Sequence, residues 1–243
     1  MTKGIPRQPK WPYVWRAGLL TGVFVAGLVW RAKTIDVWKP FGTYACLLSF
    51  FHLSEFMTIL VVKPKSVKTD SFLINHSPEY HVAAVLSWIE FGIEAYFFPS
   101  VKGFSLVSFL GFALCLTGEV VRKLAMVTAG SNFSHKVEYR KERGHRLVTH
   151  GVYSLWRHPS YVGWFYWSIG TQLVLMNPIC TIGYAYASWS FFQYRIEEEE
   201  RILIEFFGQE YREYTKKVAP GIPFLSLKDN DAAQDVEDIQ DQE

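Results

Sequence analysis

The sequence predicts an all-α integral membrane protein with about six transmembrane helices, and three observations carry that prediction. Apolar residues make up 49% of the 243-residue chain and aromatic residues 17%, yet mean hydropathy is only +0.06, so the apolar residues are gathered in blocks. Those blocks are nearly free of charge and approach the roughly 20 helical residues that a hydrocarbon core of about 30 Å requires. Lys and Arg fall very unevenly between them. The aromatic content also excludes fibrous and wholly disordered chains, and a net charge of +2 gives no nucleic-acid signature, so no nucleic-acid partner is expected.

Taken in order, the basic, proline-bearing residues 1–10 precede the first apolar run without a small-residue cleavage site, which reads as a retained N-terminus. The first span, residues 17–30, is short, but Arg16 and Arg31 can snorkel to the interfaces. Gly18, Gly22 and Ala26 recur in it at four-residue spacing, which suits close helix contact, either within the chain or in a homodimer. Further spans are expected over residues 41–62, 82–98, 104–121, 161–176 and 178–194. Only Asn177-Pro178 separates the last two, which predicts a tight helical hairpin turning at the far side of the bilayer. With the N-terminus inside, 21 of the 25 Lys and Arg residues fall on the cytosolic side, so both ends are expected there.

Beyond Tyr194 the helical pattern continues through an amphipathic run bearing Ile202, Leu203, Phe206, Phe207 and Tyr211, until Pro220-Gly221 stops it. From Lys228 onward the chain is acidic and poor in apolar residues, as in a disordered tail. The expected organisation is a membrane region over residues 1–130, a region of loop, hairpin and amphipathic helix over 131–225 and a tail over 226–243. Cys46, Cys115 and Cys180 all lie inside apolar runs with no C-x-x-C or H-E-x-x-H spacing, so neither a disulfide nor a metal site is expected.

The longest cytosolic loop, residues 131–161, is basic and histidine-bearing, and loops on a rigid scaffold are where sites form. It ends in Arg157-His158-Pro159-Ser160-Tyr161. Proline favours the first position of a helix, which places His158 at the mouth of the fifth span, where unpaired N–H groups can hold a carboxylate. Because the hairpin is tight, Arg195 and Glu199, one turn apart on the sixth helix, should sit opposite His158 and Tyr161. The competing reading of residues 197–201 is a solvated charged face. Glu90 and Glu94 inside the third span must be paired, neutralised or turned toward a polar cavity. His52, Glu55 and Glu119 read as buried polar contacts with no assigned role. No glycine-rich phosphate cradle follows a strand, which disfavours a Rossmann-type enzyme.

Several segments between residues 131 and 225 carry a resemblance: SNFSH, HRLVTHGVYSLWRHPSYVGWFYWSIGTQ, the NPIC turn, RIEEEE and GIPF. Together they resemble the isoprenylcysteine carboxyl methyltransferase family, in a six-span form like that of fungal members. The resemblance implies transfer of a methyl group from S-adenosyl-L-methionine to the C-terminal carboxylate of an S-prenylated cysteine. The acceptors implied are processed CaaX proteins such as small GTPases, lamins or pheromone-like peptides, at the endoplasmic reticulum membrane. It also implies that Arg195 binds the prenylcysteine, that Arg195 and Glu199 form the catalytic pair, and that the cofactor is held by Glu138, His145, Arg146, Leu147, Val148, Tyr153, His158, Pro159, Ser160, Tyr161 and Glu199. Position 138 departs from relatives that carry Gln. An α-carboxyl, with a pKa of about 3.3–3.7, is already ionised at neutral pH, so no general base is expected. The aromatic residues Trp164, Phe165, Tyr166 and Trp167 could wall a lateral opening for the prenyl chain or simply pack. Rival readings are a sterol reductase using NADPH, a phospholipid N-methyltransferase, and a non-catalytic binder of prenylated proteins.

Overall fold

The computed structural model describes residues 10–75, 77–103, 105–141 and 144–225. Among the described residues the regular secondary structure is entirely helical: α1 (Trp11–Lys33), α2 (Lys39–Val62), α3 (Pro78–Phe97), α4 (Leu106–Ala129), α5 (Pro159–Leu175), α6 (Pro178–Phe207) and α7 (Gln209–Lys217), joined in places by short 3-10 turns. Proline stands in the first two positions of α1, α2, α3, α5 and α6, where its missing N–H costs nothing. The six predicted spans fall on α1 to α6. Two segments, Trp11–Lys33 and Asp36–Val62, are long and apolar enough to cross a membrane on length and composition alone. The predicted acidic tail and residues 1–9 lie outside the described residues.

Two boundaries differ from expectation. The fourth helix runs on to Ala129, carrying Arg122 and Lys123 within it, because those charges find buried partners instead of water. The amphipathic run after Tyr194 is one helix with α6 as far as Phe207, then breaks at Gly208, whose φ of +55° glycine adopts without a Cβ penalty.

Glycines set the helix pairing. A Cβ at Gly118 would lie 2.5 Å from the Gly163 carbonyl, and one at Gly111 2.8 Å from that of Gly170, so α4 and α5 lie backbone to backbone and antiparallel. Gly27 and Gly42 join α1 to α2 in the same way. Gly18 and Gly22, by contrast, have nothing within 4 Å of a Cβ position, so the motif singled out in α1 does not pack against any of the other described residues. The core at the centre is aromatic: Phe51 stacks on Trp167 with ring centroids 4.0 Å apart, and Phe91, Leu175 and Val174 close around them. Trp164, Phe165 and Trp167 are all used in helix packing.

The α5–α6 turn is held by groups of opposite sign, each at the helix end whose dipole it complements. Lys102 donates to the Leu175 and Met176 carbonyls, 2.8 and 2.7 Å away, at the C-terminus of α5. Glu90 accepts from the Ile179 and Cys180 amides, both at 2.7 Å, at the N-terminus of α6. Asn177 stitches the turn to α3 through the Ser87 carbonyl at 2.8 Å, and Glu94 pairs with Lys102. Glu90 and Glu94 are therefore both structural, and this tight turn brings the other ends of α5 and α6 together at the opposite face.

Candidate active site

At that opposite face α5 begins where His158 precedes Pro159, while α6 leaves the apolar region at Arg195. Tyr161, on the first turn of α5, donates to Glu199 Oε2 at 2.6 Å, and Arg195 Nε donates to the Tyr161 hydroxyl at 3.4 Å. His158 stacks on Tyr161 with ring centroids 5.7 Å apart, and its Nδ1 lies 3.8 Å from Glu199 Oε2. The expected meeting of Arg195 and Glu199 with His158 and Tyr161 is thus realised, and the Tyr161 hydroxyl bridges Glu199 and Arg195 by hydrogen bonds.

Beside this group the loop and the C-terminal helices enclose a cleft of about 680 Å³, counting its open mouth. Its wall contains His145, Arg146, Leu147, Val148, Tyr153, His158, Pro159, Ser160, Tyr161 and Glu199, which are ten of the positions singled out in the sequence. Glu138 does not line it, and Arg195 stands next to it rather than in its wall. The wall combines apolar side chains, Phe133, Leu203 and Phe207, with the polar ones of His158, Ser160 and Glu199. Tyr211 is 1% exposed, lines the cleft, and its hydroxyl is a buried polar atom without a hydrogen-bond partner among the described residues. A buried hydroxyl left in that condition is costly, which makes it a point of attachment for a ligand.

The anion site expected at the start of α5 is narrower than the sequence implied. Tyr161 and Val162 both donate their amides to the His158 carbonyl, at 3.0 and 3.1 Å, so two of the N–H groups are already used. His158 Nε2 is bonded to Glu200 Oε1 at 3.0 Å.

Glu200 is the residue the sequence reading misplaced on a solvated face. It is 9% exposed and binds the Arg157 guanidinium through both oxygens, at 2.8 and 3.1 Å, in addition to His158. Burial alone would raise its carboxyl pKa, but the hydrogen bonds and charges of His158 and Arg157 together hold it below the ordinary glutamate value. Arg157 also reaches the Thr215 and Val218 carbonyls, and its own amide donates to the Ala219 carbonyl at 2.9 Å, so this ion pair clamps the chain after α7 against the loop. Pattern alone could not find Glu200, since four consecutive glutamates look alike in sequence and only their helical azimuth separates them.

Under the loop lies a second polar cluster, in which Glu55 and Glu119 are the buried polar contacts expected and Arg122, Lys123 and His135 are partners that the sequence did not indicate. Glu55, 0% exposed on α2, takes both ends of Arg122, at 2.6 and 2.9 Å, the Lys123 ammonium, and His135 Nε2 at 2.8 Å. Glu119 joins through Lys123 and Ser54. Burial keeps the His135 imidazole below its ordinary pKa, with the neighbouring Glu55 offsetting part of that shift. His52 bonds the Phe72 carbonyl at 2.9 Å and the Tyr80 hydroxyl at 3.0 Å.

Comparison with known proteins identifies a family and a fold neighbour. The model of the isoprenylcysteine carboxyl methyltransferase family matches residues 110–205. The protein-S-isoprenylcysteine O-methyltransferase of Xenopus laevis is 55% identical over 210 residues, which cover 86% of this chain and 73% of that protein. Its Homo sapiens namesake is 51% identical over 219 residues, with coverages of 90% and 77%, and that of Saccharomyces cerevisiae is 42% identical over 214 residues, with 86% and 87%. A solved structure, described as the eukaryotic intramembrane Ras methyltransferase of this family, superposes with a TM-score of 0.88 at 51% identity over 90% of this chain and 78% of that one. With helices, loop and cleft in the arrangement described above, the chain belongs to the isoprenylcysteine carboxyl methyltransferase family and is a membrane methyltransferase.

Proposed function

We propose that this enzyme esterifies the C-terminal carboxylate of S-prenylated cysteine on processed CaaX proteins, with S-adenosyl-L-methionine as donor, at the cytosolic face of the endoplasmic reticulum membrane. In this reading α1 to α6 span the bilayer and both ends are cytosolic. The observation that carries it is the cleft itself, whose wall gathers ten of the expected cofactor positions, from the loop, α5 and α6, beside Arg195.

The cleft residues fit the donor. An amphiphilic nucleoside with an amino-acid tail needs an apolar slot, hydrogen-bond partners and a counter-charge. Here these correspond to Phe133, Leu203 and Phe207, to the unpaired Tyr211 hydroxyl, and to the Glu199 carboxylate. When bound, S-adenosylmethionine supplies a methyl group activated by its sulfonium charge.

The protein residues then have to position and desolvate. The acceptor carboxylate needs no deprotonation. A guanidinium carries five donors in a rigid fork, and Arg195 spends one on the Tyr161 hydroxyl and one on the His135 carbonyl, which is 2.8 Å away. The remainder suit a carboxylate, holding it in line for displacement. Closing the site to water supplies the remaining advantage, because a carboxylate stripped of its hydration shell is a stronger nucleophile. Tyr161 links the two halves, since its hydroxyl touches both Arg195 and Glu199. An amine acceptor would leave Arg195 without a role, which favours carboxyl over phospholipid N-methylation.

The test is transfer of labelled methyl from S-adenosylmethionine to N-acetyl-S-farnesylcysteine by membranes containing this protein, scored as base-labile ester. Label that depends on the prenyl group is expected. Cofactor binding without prenyl-dependent label would overturn the acceptor assignment.

A further inference from the structure

We propose that Glu55, a residue on α2 outside the cleft, is a positioning residue that sets the geometry of both halves of the site. The inference rests on the function proposed above and adds the device that holds Arg195 in place. From the Glu55 carboxylate two short paths lead to the chemistry. Along one, Glu55 holds His135 Nε2 at 2.8 Å, and the His135 backbone carbonyl accepts from Arg195 Nη2 at 2.8 Å. Along the other, Glu55 holds Arg122 through two bonds, and Arg122 Nη1 donates at 3.1 Å to both the carbonyl and the hydroxyl of Ser160, a cleft residue on the first turn of α5.

The cluster is built more heavily than packing alone demands. A single carboxylate with no exposure faces Arg122, Lys123 and His135, while Glu119 shares Lys123 and accepts from Ser54. Arg122 lies over the Trp164 ring, 4.7 Å from its centroid, which fixes the guanidinium plane. Ion pairs this deep contribute little net stability relative to apolar packing, which leaves the positioning of His135 and Arg122 as the role proposed for this one. Residues 133–135 have no regular secondary structure; Phe133 anchors one end by packing on Ile59 and Met126, and the pinned His135 side chain anchors the residue whose carbonyl accepts from Arg195.

His135→Ala tests the first path without stranding a charge, because Glu55 keeps Arg122 and Lys123. The expected result is a fall of about 10- to 100-fold in kcat/KM for N-acetyl-S-farnesylcysteine, the cost of a misplaced binding group, with KM for S-adenosylmethionine changed less than about twofold. In an Arg195→Lys background, which lacks the Nη2 donor, the same substitution should lower turnover less than about twofold, because coupled residues are not additive. Glu55→Gln should in addition raise KM for S-adenosylmethionine through Arg122 and Ser160. Amide exchange of residues 133–137 should quicken in both variants, whatever the acceptor proves to be. Unchanged exchange, unchanged kcat/KM in His135→Ala, or an equal loss in the Arg195→Lys background would overturn the proposal. An unaltered protein that exchanges normally yet methylates no prenylcysteine would instead count against the function proposed above.

Discussion

Tyr211 and Glu200 stand one α-helical break apart and show opposite states of a buried polar group. The Tyr211 hydroxyl has no partner among the described residues, so Tyr211→Phe removes a desolvated atom and should leave thermal stability equal or slightly raised. If that hydroxyl serves the cofactor, the same variant should raise KM for S-adenosylmethionine several-fold, and steady-state kinetics with a thermal melt would separate the two effects. Glu200 is fully engaged. Glu200→Ala leaves the Arg157 guanidinium buried and uncompensated, and breaking such a pair costs about 3–5 kcal/mol, to be read from unfolding of the purified enzyme in detergent. The pH dependence follows from the sign of the shift. Because the native carboxyl titrates below the unfolded one, its contribution is complete above about pH 4.3 and is lost as pH falls through the lower native value. Melting temperature against pH should therefore decline on the acid side, and Glu200→Gln should flatten that part of the decline.

At the scale of helices, α4 and α5 are placed by glycine rather than by large apolar side chains. A Cβ at Gly163 would come within 2.5 Å of the Gly118 carbonyl and 2.7 Å of the Arg122 Cβ, so Gly163→Ala must push the two helices apart. Overpacking of this kind costs about 1–3 kcal/mol. It should also lower turnover, because the displaced Arg122 holds Ser160; a variant with lowered stability but normal kinetics would show that the helix spacing and the site are independent. The far turn gives the complementary case. Lys102 closes the end of α5 and pairs with Glu94, so Lys102→Met should lower the melting temperature while the folded fraction keeps its KM values, since every contact it loses lies at the other end of the hairpin. Equal kinetic damage from Lys102→Met would mean that the turn transmits to the site.

Across the whole molecule the hairpin is the organising device, since a two-residue turn between α5 and α6 forces the start of one helix and the exit of the other to meet. The proposed six-span topology makes a direct prediction: with Cys46, Cys115 and Cys180 replaced by Ser or Ala, Ser100→Cys, in the turn following α3, should label from the lumenal side only, whereas Lys136→Cys should label from the cytosol. The six helices α1 to α6 and the hairpin between the last two were legible in the sequence, because hydrophobic length and proline position are local signals. So were ten of the cleft residues, through a family resemblance concentrated in residues 131–225. What could not be read there is which glutamate of residues 197–200 is buried, that Gly18 and Gly22 do not pack against the other described residues, and that Glu55 lies beneath the loop. Each of these depends on the rotation of one helix against another. By itself the sequence determined the elements, their order and the chemistry available, since those follow from periodicity and side-chain type. Only the tertiary structure decided which charges meet, because a buried carboxylate can be paired by residues 67 and 80 positions away, as Glu55 is by Arg122 and His135, and no local pattern records that distance.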